Sequence, residues 1–282
     1  MTAAFTEHRG LLFAVAYRML GSVAEAEDVV QEAWLRWSRV DHGSVADAEG
    51  YLVRVTIRLS VDQLRSARRR RESYVGPWLP EPLLTAPDVA DDVVRAESVS
   101  TALLLIMESL TPLERAVFVL HEAFGYPYGE IGVLLGRAEP AVRQLARRAR
   151  AAVEARERRY DSDPVSRRLV AERFLAACES GDVTALMAVL APDVTMISDG
   201  GGLTGAPRKP IRERSLVARA LLVLSRQQPA GAVTRPAELN GGPGMLVMAG
   251  PAPVLAMTLH VAGGLVRTLH VVSNPAKLTG VV

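Results

Sequence analysis

Apolar residues recur three and four positions apart through about the first 155 residues, and beyond residue 190 they alternate singly. The chain therefore predicts a helical part followed by a mixed one. From Phe5 to Leu20, residues Leu11, Leu12, Val15, Ala16 and Met19 mark one helix, which Gly21-Ser22 ends while capping the next. That second helix, Val23 to about Val40, has Ala26, Val29, Val30, Ala33, Trp34 and Trp37 on its apolar face and Glu25, Asp28, Gln31, Glu32 and Arg36 elsewhere. A third runs from Gly50 to about Arg71, with Leu52, Val55, Ile57, Leu59, Val61 and Leu64 inward. A fourth, Val93 to Leu110, is rich in leucine at residues 103–105. Thr111-Pro112-Leu113-Glu114 has the form of a helix start: a hydroxyl cap, proline in the first turn and an early acid at the positive end of the dipole. That helix reaches roughly His121. A short one, Gly129 to Leu135, stops at Gly136, and another starts at Glu139-Pro140 with Val142, Leu145, Ala146 and Ala149 inward.

Helical spacing returns in Leu169, Val170, Phe174, Leu175 and Cys178, stops near Gly181, and resumes from Val183 to Leu190. Pro192-Asp193 leads into the alternating strand VTMIS, and a helix is expected from about Lys209 to Arg226. Strand-like runs follow at Ala232 to Leu239, Met245 to Ala249, Val254 to Val261 and Leu265 to Val272, with glycine-containing turns between them. Helices followed by an antiparallel meander indicate an α+β domain. The charged stretch Arg156 to Pro164 reads as a hinge before it. A different break occupies ESYVGPWLPEPLLTAPDVADD, where four prolines between Pro77 and Pro87 preclude a continuous helix and favour an extended path. Trp78, Leu79 and Leu83 are large apolar groups that a mere spacer does not need, so they are expected to dock.

Charge sharpens this picture. The net charge is only +2, yet residues 137–159 hold eight arginines against three glutamates, whereas residues 88–97 hold four acids and one arginine. Short helix, glycine turn and basic helix form a helix-turn-helix pattern, and its Arg143, Gln144, Arg147 and Arg148 suit guanine and adenine edges in a major groove. Arg54, Arg58, Arg65, Arg68, Arg69, Arg70 and Arg71 make the third helix a phosphate-binding candidate on charge alone. The single cysteine, Cys178, excludes an internal disulfide and a multi-cysteine zinc site, and no cofactor or metal is called for. With no apolar run of membrane length and no signal-peptide order at the N-terminus, a cytoplasmic protein is expected.

Three stretches in order, RMLGSVAEAEDVVQEAWLRW, YLVRVTIRLSVDQLRSARRRR and the helix-turn-helix, resemble regions two and four of bacterial extracytoplasmic-function RNA polymerase sigma factors. The resemblance implies two all-α domains, residues 1–74 (region 2) and 93–158 (region 4), joined by the linker 75–92. It also implies partners: core RNA polymerase, through the beta-prime clamp and the beta flap, and promoter DNA. Asp28, Gln31, Glu32 and Trp34 are assigned by it to core contact. The arginine-rich third helix is assigned to the minus-10 element, and the helix-turn-helix residues Arg143, Gln144, Arg147 and Arg148 to the minus-35 element. Arg58 stands where many relatives carry asparagine.

WLPEPL (Trp78, Leu79, Pro80, Glu81, Pro82, Leu83), DGGG (Asp199, Gly200, Gly201, Gly202) and NPAKL (Asn274, Pro275, Ala276, Lys277, Leu278) resemble motifs of the SigJ-like subgroup. That subgroup has an added SnoaL-like cone domain, of the wider group resembling nuclear transport factor two, here at residues 165–278. The resemblance implies a fused regulator that packs on the linker, with the three motifs as contact points and a possible small-molecule ligand in the cone. After DGGG this chain continues LTGAPRKP. Two rivals remain at this level: an operator-binding regulator acting without polymerase, and a cyclase or isomerase of the SnoaL kind. For the second, Asp199, His260 and His270 are the candidate groups, without an evident base, orienting partner and substrate anchor among them.

Overall fold

The computed structural model describes residues 2–85, 100–157 and 164–281. These divide into two compact units: residues 2–73 and 103–156, and residues 74–85, 100–102, 157 and 164–281.

The first unit is helical. α1 (Thr2–Leu20), α2 (Val23–Trp37) and α3 (Ala48–Glu72) form a bundle. Ser22 caps α2 by accepting from the Glu25 amide at 3.2 Å. Along α3, Leu59 is only half-buried, while Val53, Thr56 and Ser60 are buried beside the expected residues. The cause is packing on more than one side: α1 and α2 cover one flank of α3, and helices of region 4 cover another. Region 4 consists of α4 (Thr101–Met107), α5 (Pro112–Phe118), a π turn at Val119–Ala123, α6 (Tyr128–Leu135) and α7 (Glu139–Glu157), of which α5 and α6 lie against α3. Residues 93–99 of the expected fourth helix, and most of the expected hinge at 156–164, lie outside the described residues. Thr111 and Glu114 form a reciprocal capping box at α5. Gly136, at φ 64°, turns the chain between α6 and α7 in a left-handed conformation that suits glycine. Val142, Leu145, Ala146 and Ala149 are all buried, as their spacing predicts.

Region 4 is packed on region 2 by polar as well as apolar contacts. Arg115 of α5 is 2% exposed; its Nε donates to the Arg18 carbonyl at 3.1 Å and its guanidinium pairs with Glu108 at 2.6 Å. Arg18 lies over the Phe124 ring, 4.6 Å from its centre. The Tyr126 hydroxyl donates to Glu49 at 2.8 Å, and burial together with that carboxylate pushes the tyrosine's pKa up.

In the second unit, α8 (Pro164–Ser180) and α9 (Val183–Val189) precede β1 (Leu190–Asp199). Next come β2 (Ile211–Arg212), α10 (Arg214–Arg226), β3 (Val233–Leu239), β4 (Gly242–Ala249), β5 (Ala252–Ala262) and β6 (Leu265–Val272). The helix expected from Lys209 is corrected: Ile211 and Arg212 pair with β1, and Glu213 at φ 81° breaks the path before α10 begins. The sheet order is β2-β1-β6-β5-β4-β3, an antiparallel meander from β3 to β6 with β1 parallel to β6. Phe174, Leu186, Val217 and Leu221 of the helices share one core with Met196, Val247, Met257, Leu269 and Val271 of the sheet. This is the α+β architecture that the resemblance implies.

A register shift where His260 pairs with Thr268 and Val261 with Val266 breaks the alternation of β6. Val266 therefore joins the core shared with the helices, while His270, between core residues Leu269 and Val271, points to the other face. His270 is nonetheless buried, and desolvation, with His260 nearby, lowers its pKa from 6.5 to about 4. The folded state thus favours neutral imidazole, and the associated stability is complete above pH 6.5 and lost as pH falls toward 4. Between pH 7.5 and pH 5, His270→Phe and His270→Gln should each remove about 2 kcal/mol of the acid destabilisation of the C-terminal unit. Urea titrations at the two pH values, compared with the unaltered chain, measure it.

Candidate linker clamp and nucleic-acid interface

On α7, Arg143, Gln144, Arg147 and Arg148 are exposed together, because the apolar positions fix the opposite side inward. Arg143 is held by Glu139, with Nε 2.9 Å from Oε1, and lies 5.1 Å from the Tyr128 ring centre. Arg148 meets Glu114 at 2.9 Å, and Arg150 meets Glu122 at 2.6 Å. These surface pairs are individually weak, so an incoming phosphate or base edge can displace the acids at low cost. On α3, Arg58 and Arg65 are exposed, Arg65 beside Asp62 at 3.1 Å, whereas Arg54 is half-buried. The side chains of Arg68, Arg69, Arg70 and Arg71 lie outside the described residues. On α2, Asp28 and Gln31 are exposed and Glu32 is half-buried, paired with Arg36 at 3.0 Å. Trp34, expected on the apolar face, is only half-buried, with its ring tilted on Phe5 at 5.0 Å. An aromatic surface is thus left beside the polar positions.

The second unit closes around the linker. Asp199, at the end of β1, is 0% exposed and Lys277 is 6% exposed. The lysine Nζ donates to Asp199 Oδ2 at 2.7 Å and to the Leu79 carbonyl at 2.6 Å, and the Leu79 amide donates to the same Oδ2 at 2.8 Å. On the other oxygen, Oδ1 accepts from the Tyr74 hydroxyl at 2.6 Å and from the Gly201 amide at 3.1 Å. Tyr74 in turn accepts from Asn274 Nδ2 at 2.9 Å. Burial and the Asp199 carboxylate both push the Tyr74 pKa up, so the hydroxyl stays a donor. The lysine also stacks over Trp78 and Tyr74, 4.2 and 4.9 Å from their ring centres. A buried ion pair is tolerable only when its remaining sites are hydrogen-bonded, and here the linker backbone supplies part of that bonding.

The glycines after Asp199 serve this approach. Gly201 and Gly202 have φ of 60° and 74°, and a side chain on the first would run into Asn274, on the second into Val75. Asn274 caps a 3-10 turn, Pro275–Lys277, by accepting from the Ala276 amide, and this turn aims Lys277 inward; Leu278 is buried behind it. Leu79, Pro80, Glu81 and Pro82 are buried and Trp78 and Leu83 are half-buried, so the apolar linker residues do dock. A second hold joins Leu83 and Thr85 to the turn at Asn240-Gly241. Tyr74, Thr85 and Asn240 were absent from the sequence expectations. Asn-Gly is a legible hairpin signal, but it names a turn, not what rests on it.

Asp199, a candidate catalytic acid on sequence, is enclosed by these bonds. Behind the sheet, a cavity of about 440 Å³ is lined by Cys178, Leu221, Leu224, Met245, Val247, Leu255 and Met257 among others. Burial pushes the Cys178 thiol up to about 12, which makes it a packing group and no nucleophile. His270 and Asp199 do not face each other across that space.

Residues 4–70 match the family model Sigma-70 region 2, and residues 100–153 match Sigma-70, region 4. The ECF RNA polymerase sigma factor SigJ of Mycobacterium tuberculosis is 40% identical, over 98% of this chain and 92% of its own length. The chain belongs to the ECF sigma factor family. A protein of the same organism named as a probable ECF RNA polymerase sigma factor, SigI, is 34% identical over 99% of this chain and 94% of its own. The crystal structure of SigJ superposes with a TM-score of 0.79 at 37% identity, covering 99% of both chains. This sigma factor is thus similar to SigJ through its C-terminal domain as well. Its regions 2 and 4 imply binding to core RNA polymerase and promoter DNA, which the operator-binding and enzyme rivals leave unexplained. Among the described residues, no helix is long and apolar enough to cross a membrane.

Replacing Lys277 with methionine leaves the Asp199 carboxylate buried without its counter-charge. The C-terminal unit should lose about 3–5 kcal/mol, read by urea unfolding. The double variant Asp199→Asn with Lys277→Met should lose less than the sum of the singles, which is the signature of a coupled pair.

Proposed function

We propose that this sigma factor initiates transcription under the control of its own C-terminal domain, which grips the linker between regions 2 and 4. The observation that carries this reading is the enclosure of the Leu79 backbone by Asp199 and Lys277. A domain that fixes the linker limits how far the two flanking regions can separate. Regions 2 and 4 rest against each other through Arg115 and Tyr126, yet the minus-10 and minus-35 elements are about 25 nucleotides apart, on the order of 85 Å of duplex. Initiation thus requires that contact to open, and release of the linker permits it.

In this reading Asp28, Gln31, Glu32 and Trp34 dock on the beta-prime clamp and region 4 docks on the beta flap. Arg143, Gln144, Arg147 and Arg148 read the minus-35 element, and the arginines of α3 hold the minus-10 element. The cavity behind β4 and β5, with an apolar floor and Glu179, Ser225, Gln228 and Thr234 also in its lining, suits a small molecule with an apolar body and a polar end, whose arrival would bias the clamp.

Run-off transcription with purified core polymerase on a promoter library tests the control. Lys277→Met and a truncation after Asp163 should each alter rate or promoter range relative to the full chain; transcription unchanged in both would refute control in cis. In the same assay, Arg143→Ala should lose about 1–3 kcal/mol of discrimination at one minus-35 position. Arg70→Ala should weaken all sequences alike, with the salt slope reduced by about 0.9. An equal loss on specific and random DNA for Arg143→Ala would remove its reading role.

A further inference from the structure

The linker is held at a second place, on the opposite flank of the sheet. Thr85 donates its amide to the Glu238 carbonyl at 3.0 Å, and Leu84 bridges Leu239 in antiparallel fashion. The Asn240 amide donates to the Leu83 carbonyl at 2.9 Å, and the Leu83 amide returns a bond to Asn240 Oδ1 at 3.2 Å. Gly241 donates to Thr85 Oγ1 at 2.9 Å. Leu83–Thr85 therefore continues the sheet beyond β3, its edge strand, in the manner of an added strand.

We propose that this turn is a separate binding site for the linker, released independently of the Asp199–Lys277 clamp, and that Asn240 is its positioning residue. Three observations support independence. The two sites share no residue, and β5 and β4 lie between β3 and the pair β1 and β6 that carries Asp199 and leads to Lys277. Their chemistry differs, since the first centres on a buried ion pair and the second uses neutral hydrogen bonds only. The span between them, Pro80-Glu81-Pro82, contains two prolines, which keep it extended, so neither site depends on the other for the linker's local shape.

Asn240 has two tasks, and substitutions separate them. With φ 51° at Asn240 and 64° at Gly241, the pair forms the left-handed turn joining β3 to β4. Glycine at 240 keeps that turn but removes the acceptor for Leu83; aspartate keeps both. The functional consequence is reach. Opening this site alone moves the last held residue from Thr85 back to Pro82, which is buried with Pro80 and Glu81, adding residues 83–85, about 10 Å of chain, to the tether that leads to region 4. The linker then has two lengths, a short one with both sites closed and a longer one with the clamp alone. That consequence rests on the proposed control through the linker; the site itself does not.

Hydrogen exchange by mass spectrometry on the full chain tests the site. In Asn240→Gly, peptides covering residues 81–85 should exchange roughly tenfold faster, while those covering 74–79 stay protected. Asn240→Asp should keep both protected, and Asp199→Asn should expose 74–79 first. Unchanged exchange at 81–85 in Asn240→Gly, or release of both stretches together, would overturn the proposal. Run-off transcription by the same variants on promoters of stepped spacer length bears on the control alone: a split in exchange without any change in spacer preference sinks the regulatory reading and leaves the second site standing.

Discussion

A lysine ammonium and an aspartate carboxylate, both sealed from water, set the terms for the C-terminal half of this sigma factor. Neither charge would be stable there alone. Asp199 needs donors on both oxygens, and the protein provides them from its own loop, from Tyr74 and from the backbone of Leu79. Lys277 needs acceptors and finds the carboxylate and the Leu79 carbonyl, with two aromatic faces around its stem. The linker is thus part of the solvation of a buried ion pair, so removing it exposes that pair to a large electrostatic penalty or to water. A grip of this kind is firm, specific for backbone geometry and open to disruption by whatever lets water in.

The helical half shows a parallel device. Arg115 is among the largest fully buried side chains, and it connects α5 to the end of α1 through a backbone carbonyl. Such a contact fixes orientation more than it adds stability, because desolvation of the guanidinium offsets much of what the bonds contribute. Contacts of that balance suit the proposed control, in which the two regions part when polymerase and promoter compete for them.

Much of this was legible in the chain. Helical spacing located α2, α6 and α7 to within a few residues, since each keeps an exposed face opposite its buried one, and it located α1 and α5 as well, although Leu12 to Leu20 of α1 are buried all round. The capping box at Thr111 and the left-handed Gly136 were readable from residue types alone. Leu59 misled because α3 is covered from more than one side, so its inward positions exceed one stripe. The helix expected from Lys209 begins later, at Arg214, because Ile211 and Arg212 are recruited as a strand by β1, a tertiary effect. Periodicity identified β1 but not its parallel pairing with β6, and it could not foresee the register shift that turns His270 from the core. At the clamp, resemblance supplied Asp199 and Lys277 and hydrophobicity supplied Trp78 and Leu79. Tyr74 and Asn240 were missed because their partners lie more than a hundred residues away, where no local pattern reaches.

In the proposed control, the clamp on the linker keeps regions 2 and 4 together until polymerase binds. Single-molecule energy transfer between dyes on cysteines introduced at Ala46 and Ala151, with Cys178 replaced by alanine, measures their separation directly. One compact population is expected in the free chain, and in Lys277→Met a second, extended population without polymerase present. An unchanged single compact population in Lys277→Met, with the C-terminal unit still folded, would contradict it.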